Sequence, residues 1–350
     1  MPEDLRFLRF YHSIFEFVIG IISYILNGTL IYMALYKSTK YMKSYSAIII
    51  LNSSVDIIFN TINIVVQVVV DMKDGGLYFF SGYFVENIPQ PYASYMHNLW
   101  MFGLLLSVVN VPVQFLFRYL ILVKNKTLNG LELLGVMLVP AVLIAIHCYY
   151  GATVAYSITD EERNELLPSL QNDPLWFHDV PVFSHGFVKN RPVQIDFCGT
   201  QGVVVISYIV IFWTGRAIYN KLKSSEKIMS RPTRLAQAQL TKILLIESMI
   251  PISTCFPITY CIFTVSYGIN IPLVGLSMAT MASSIPLVNA ICIIFIVPSY
   301  RRFIFRLLPQ RYRPTVHTEV TQVFTSNPLT PKLRLKLPAD TTLISNRTPK

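Results

Sequence analysis

Charge is scarce in this chain. Only 14% of its 350 residues are Asp, Glu, Lys or Arg, against about 25% in a soluble domain. Such a sequence cannot clothe a water-facing surface in polar groups, which excludes a soluble enzyme, a disordered protein and a collagen-like chain. Cysteine is sparse too: Cys148, Cys198, Cys255, Cys261 and Cys292 are all there are. Residues 71–95 contain none that could tie the top of a third span to the long loop beyond it, so no disulfide is expected. No CxxC or His/Cys pair has structural-zinc spacing. His178, His185 and Asp179 lack both ligand spacing and a scaffold, so neither metal nor cofactor is expected. Paired intramembrane aspartates, Gly-x-Ser-x-Gly and His-Glu-x-x-His are missing, which argues against an enzyme. Nothing resembles a nucleic-acid-binding module.

What is present is apolar length. A helix needs about 20 mostly apolar residues to cross the hydrocarbon core, and seven stretches qualify, near 12–36, 45–70, 95–123, 131–158, 200–222, 240–267 and 271–297. The alternating ten-residue strands of a membrane barrel are absent. The expected fold is therefore an all-α integral membrane protein, a seven-transmembrane helix bundle. Basic residues set its orientation. With the N-terminus outside, the outer side keeps only Arg6, Arg9, Lys73, Arg163, Lys189 and Arg191 of the 29 Lys and Arg residues. The net charge of +10 then belongs to the inner face, next to anionic lipids.

Polar residues inside spans are costly and so are informative by position. In span two Asn52, Asp56, Asn60, Asn63 and Gln67 fall on one helical face. They read either as interhelical hydrogen-bond glue or as a hydrated cavity centred on Asp56, with Asn27 and Asn289 as neighbours. Span three repeats the pattern with Gly103, Ser107, Asn110, Gln114 and Arg118. That arginine is either snorkelling to the rim, or it holds a closed state or receives a cytosolic partner. Pro112, Pro140, Pro251, Pro257 and Pro286 mark bends. After Val297, Tyr300, Phe303, Ile304 and Leu307 oppose Arg301, Arg302 and Arg306, which predicts a short amphipathic helix at 299–308 on the inner membrane surface. The receptor domain is expected to end there, and 309–350, rich in Ser, Thr and Pro, reads as a disordered cytoplasmic tail. The acidic, proline-containing loop 159–199 reads as a solvated lid over the bundle mouth.

Seven spans, Phe117-Arg118-Tyr119 closing span three, a basic third inner loop and the Pro298-Ser299-Tyr300-Arg301-Arg302 helix together resemble a G-protein-coupled receptor. More narrowly the chain resembles the nematode serpentine chemoreceptors of class delta. Asn27, Lys40 through Ser46, Leu51-Asn52 to Asp56, Thr233-Arg234 to Gln239-Leu240 and Pro251 carry that resemblance over about 11–308. It departs from the pattern at Phe117, where rhodopsin-like receptors place an acid. It departs also at Ile88-Pro89-Gln90-Pro91, where related chemoreceptors carry a cysteine, and around Glu247, where they carry a glutamine.

The resemblance implies a chemosensory receptor in the plasma membrane of sensory cells. It would bind an extracellular small molecule and activate a heterotrimeric G protein through Arg118, Tyr119, Lys221, Lys223, Arg234, Tyr300, Arg301 and Arg302. Asn98, Trp100 and Tyr208 are the expected ligand-lining residues, and Asn27, Asn52, Asp56, Asn110 and Asn289 the intramembrane polar cluster. The rival reading is a transporter or ligand-gated channel using the polar faces of spans two and three, with Asp56 and Glu247 relaying protons. Inverted repeats and glycine-broken paired helices are not evident, which counts against it.

Overall fold

In lipid, backbone N–H and C=O groups must be satisfied within the chain, so the long apolar segments fold as helices. The computed structural model describes residues 5–37, 45–82, 84–126, 128–176, 179–225, 228–267, 269 and 273–307. Its long helices are α1 (Arg6–Tyr36), α2 (Ser46–Val66), α3 (Tyr92–Leu122) and α4 (Gly130–Tyr150), the last continued by a π-helical turn at Gly151–Ala155. A shorter helix, α5 (Asp160–Gln171), is followed by α6 (Arg191–Ser225) and α7 (Arg231–Ser266). The last segments are α8 (Val274–Ser283), α9 (Ile285–Ile296) and α10 (Pro298–Leu307). Among the described residues five helices are long and apolar enough to cross a membrane, and α8 with α9 makes a sixth, bent by 42°. Pro286 sits in the first turn of α9, where a missing N–H costs nothing, so the bend falls at Ser284 just ahead of it.

Local sequence sets several boundaries. Asn129 and Thr159 cap α4 and α5 in reciprocal pairs with Glu132 and Glu162. Three acids in the first turn of α5 favour its N-terminal dipole. Ser230 caps α7. The central helix is α3: 78% of its apolar window is buried, against 22% in α4 and 17% in α6, so those two present most of their surface to lipid.

The outer end differs from the expected loops. The run predicted as the end of span two breaks at Gln67, in left-handed conformation (φ 46°). Val69–Lys73 (β1) and Gly76–Phe80 (β2) then form a hairpin around Asp74-Gly75, both at positive φ as a two-residue type I′ turn requires. Phe183–Phe187 (β3) pairs antiparallel with β2, so the long loop enters a three-stranded sheet instead of lying solvated. Span five also starts early, with α6 extending outward to Arg191.

At the other end α10 is the short amphipathic helix expected after span seven. Val297 is extended, so α10 turns back and Tyr300 is fully buried in the bundle core, where Phe303 and Ile304 pack beside it. Arg301 and Arg302 remain exposed. The Lys40–Ser44 motif, His178, Lys227 and the tail 309–350 lie outside the described residues, as do the side chains of Arg6, Pro251, Cys255, Pro257, Cys261, Arg306 and Leu307.

Candidate functional site

Among the described residues, two polar networks and one latch stand out inside the bundle. In the first network the amides of Asn289 and Asn52 donate to the Asp56 carboxylate at 3.0 and 3.4 Å. Asn110 and Gln114 in turn donate to Asn52 Oδ1 at 2.6 and 2.9 Å. Asn27 stands apart, donating to the Pro286 carbonyl at 3.2 Å, across the bend between α8 and α9. Four of the five expected cluster residues are thus joined by hydrogen bonds, and the fifth braces α1 against α9. Glu247, from α7, is buried with neither carboxylate oxygen hydrogen-bonded among the described residues. It faces a cavity of about 20 Å³ that Gln114 and Arg118 also line, room for about one water.

The second network lies nearer the outer end and centres on Glu16, which sequence reasoning passed over. Ser283 donates to Glu16 at 2.7 Å or to Asn63 at 2.8 Å. His12 Nε2 lies 3.0 Å from the same carboxylate, and Trp100 donates its indole N–H to Asn63 at 2.8 Å. The available signal was an acid inside an apolar run, one helical turn after a histidine.

The latch is Arg118. Its guanidinium, 2% exposed, donates to the backbone and side-chain oxygens of Gln237 at 2.9 and 3.1 Å and to Thr241 Oγ at 2.8 Å. Gln237 donates onward to Tyr45 at 3.0 Å. The inner ends of α3, α7 and α2 are therefore fastened together through neutral partners. No carboxylate lies within ion-pair range of Arg118 among the described residues, and its neighbour Phe117 is buried core.

Around the latch Tyr119 packs on Trp213 with ring centroids 5.2 Å apart. Lys221, Lys223, Arg234, Arg301 and Arg302 are exposed, whereas Tyr300 is sealed in the core.

Between α3, α6, α7 and α8 lies a mostly apolar cavity of about 60 Å³, roofed by β1 and β2. Trp100 lines it, as do Phe197, Ile262 and Met278. Its polar wall is Asp196, to which Tyr156 donates at 3.2 Å. The other two expected lining residues lie elsewhere. Asn98 bonds the Ser94 carbonyl on its own helix, and Tyr208 bonds the Ser248 carbonyl of α7.

The roof is tied to α3 by hydrogen bonds. Gln90 donates to the Phe183 carbonyl at 2.7 Å, and His97 bridges Ser81 and Ser184 at 2.8 and 2.6 Å. Outside the membrane, burial lowers His185 to about 4 and raises Tyr78 to about 12. Burial also raises Asp71, opposed by the Trp176 indole N–H that it accepts.

Comparison with known proteins agrees with this architecture. The profile of the "Serpentine type 7TM GPCR chemoreceptor Srd" family matches residues 12–306. The chain belongs to that family. This Srd receptor is 25% identical to serpentine receptor class delta-18 of Caenorhabditis elegans, over 84% of this chain and 87% of that one. It is 24% identical to class delta-19 of the same organism, over 82% and 85%. Its fold is similar to squid rhodopsin, with a TM-score of 0.56 at 13% identity and 95% of each chain covered. It is a multi-pass membrane protein with a seven-transmembrane receptor fold, in a receptor family rather than an enzyme family.

Proposed function

We propose that this Srd receptor is a chemosensory receptor that binds an extracellular small molecule in the cavity beneath the β1–β2–β3 roof and activates a heterotrimeric G protein. Residues 1–308 would form the receptor domain, in the plasma membrane of a sensory cell with the N-terminus outside, and 309–350 a cytoplasmic tail. One observation carries the reading: α7 lines the cavity at its outer end through Ile262 and is clamped by Arg118 at its inner end. At about 60 Å³ the cavity is far below the roughly 300–1,000 Å³ of small-molecule sites. A ligand must therefore spread α6 and α7 to enter, and it binds that spread conformation better, shifting a pre-existing equilibrium.

Spreading breaks the Gln237 and Thr241 contacts and frees Arg118 and Tyr119. Together with Lys221, Lys223, Arg234, Arg301 and Arg302 they form a basic inner surface for the G protein, and Tyr300 joins it only if α10 unpacks. The Asp56 network is the pivot that α2, α3 and α9 share.

The test is nucleotide exchange on G proteins in cells expressing the receptor, against an odorant and metabolite panel, with membrane current recorded in parallel. Ligand-driven exchange that disappears in surface-expressed Arg118→Ala supports the proposal. Ligand-driven current or uptake that persists without G proteins would replace it with a transporter or channel working through Asp56 and Glu247.

A further inference from the structure

A second, larger cavity of about 520 Å³ lies outside the bundle centre, between the outer half of α1, the start of β1, the end of β2 and the segment around Trp176. Its size already falls within the range of small-molecule sites, so it needs no spreading of helices. Its wall is graded. Phe10, Ile14 and Phe17 form the α1 side and are 64%, 45% and 45% exposed on the outward-looking surface of that helix, which in a bilayer faces the acyl chains. The inner side carries Ser13, Gln67 and His12, with His12 and Gln67 buried.

The charged groups there are mutually committed. Arg9 is paired with Glu86 at 2.7 Å, lies near Asp179 at 3.7 Å, and stacks over Trp176 at 4.5 Å. His12 is held against Glu16. An anionic head group entering this space would face the Glu86 and Asp179 carboxylates, a cationic one would have to compete with Arg9 for them, and either would lose its hydration. A neutral head could instead exchange hydrogen bonds with Ser13 and Gln67, whose own bond is 2.7 Å long and within reach of the cavity. An apolar body would lie along Phe17, Phe80 and Phe84.

We propose that this vestibule is a second binding site, for a neutral amphiphile with a hydrogen-bonding head that enters from the outer leaflet past Ile14. The ligand would be of the chemical class of long-chain alcohols and monoacylglycerols. The site is separate from the central cavity, and its occupancy does not depend on G-protein coupling.

The test uses the full-length receptor in lipid nanodiscs containing a diazirine-bearing long-chain alcohol, photolysed and mapped by peptide mass spectrometry. The expected result is labelling concentrated in 9–17 and 80–86 and suppressed about tenfold by excess unlabelled alcohol. Ile14→Trp, which plugs the mouth, abolishes that labelling. Ile25→Trp, an equally lipid-facing change (62% exposed) lower on the same helix, leaves it intact. Labelling spread evenly over α1, α4 and α6, indifferent to Ile14→Trp, would mean annular lipid and overturn the proposal. Stronger competition by the corresponding fatty acid or alkylamine would overturn it as well, by showing that the site selects a charged head.

Discussion

At the scale of single residues, the inner latch depends on donors and acceptors that carry no opposing charge. Arg118 spends its guanidinium on Gln237 and Thr241, and a hydrogen bond to a charged group is worth about 1.5–3 kcal/mol. Thr241→Val keeps the shape and removes one acceptor. We expect basal nucleotide exchange in that variant to rise about tenfold at equal surface expression, the equivalent of about 1.4 kcal/mol; unchanged basal exchange would show that Thr241 does not hold the resting state. In the roof, His185 is buried against Tyr78 with ring centroids 4.5 Å apart. Burial lowers it to about 4 from its ordinary 6.5, and the Glu162 charge opposes that shift only in part. Between those values the unfolded roof takes a proton that the folded roof refuses. The contribution of His185 to roof stability is therefore complete above pH 6.5 and is lost as pH falls towards 4. Amide hydrogen exchange in β2 and β3, corrected for intrinsic rate, should accelerate over that window, and His185→Phe should flatten the dependence. The stripe leading to Arg118 was legible in the sequence because helical spacing alone placed it on one face. Its partner Gln237 was not, since that contact joins residues 119 positions apart.

At the scale of elements, the spans were legible and the sheet was not. Twenty apolar residues announce a helix whatever they pack against. Val68, Val69 and Val70 simply prolong such a run, and β-branched residues suit a buried strand as well as a buried helix. The change of direction rests on the left-handed turn at Gln67, which no periodicity encodes. A different reason concealed β3: Phe183-Ser184-His185-Gly186-Phe187 has no apolar run at all and is a strand only because β2 offers it an edge. The sheet also explains how the outer end is held where 71–95 lacks cysteine: a ladder and the His97 bridge fasten the long loop to the top of α3. Its seat on α8 depends on one glycine. A Cβ at Gly275 would collide with the Val70 carbonyl of β1, and neither backbone can yield cheaply. Gly275→Ala should lower stability by about 1–3 kcal/mol, read as a reduced unfolding temperature in detergent, whereas Gly135→Ala, with open space around it, should not.

At the scale of the whole molecule, the composition alone fixed a lipid-facing protein, and the basic residues assigned its sides. That assignment has a direct check. An epitope tag at the N-terminus should be stained on intact cells, and one at the C-terminus only after permeabilisation; the reverse pattern would invert every statement made above about inner and outer ends. The candidate sites were less legible at this scale, because each is made by segments far apart in sequence. The central cavity needs Trp100, Phe197, Ile262 and Met278 together, and Glu16 acquires its partners only when α1 meets α2 and α8.

The strand pairing of Gly76 with Phe187 also bears on how the receptor is made. The hairpin is synthesised long before β3, and α3, α4 and α5 must emerge in between. Through that interval β2 stands with an unsatisfied hydrogen-bonding edge, a template for pairing with other chains. Slow synthesis or delayed insertion of α3 and α4 lengthens that exposure. Defects in this receptor's biogenesis should therefore arise at the β2 edge, as retention and aggregation of chains truncated before residue 183, rather than in the apolar spans themselves.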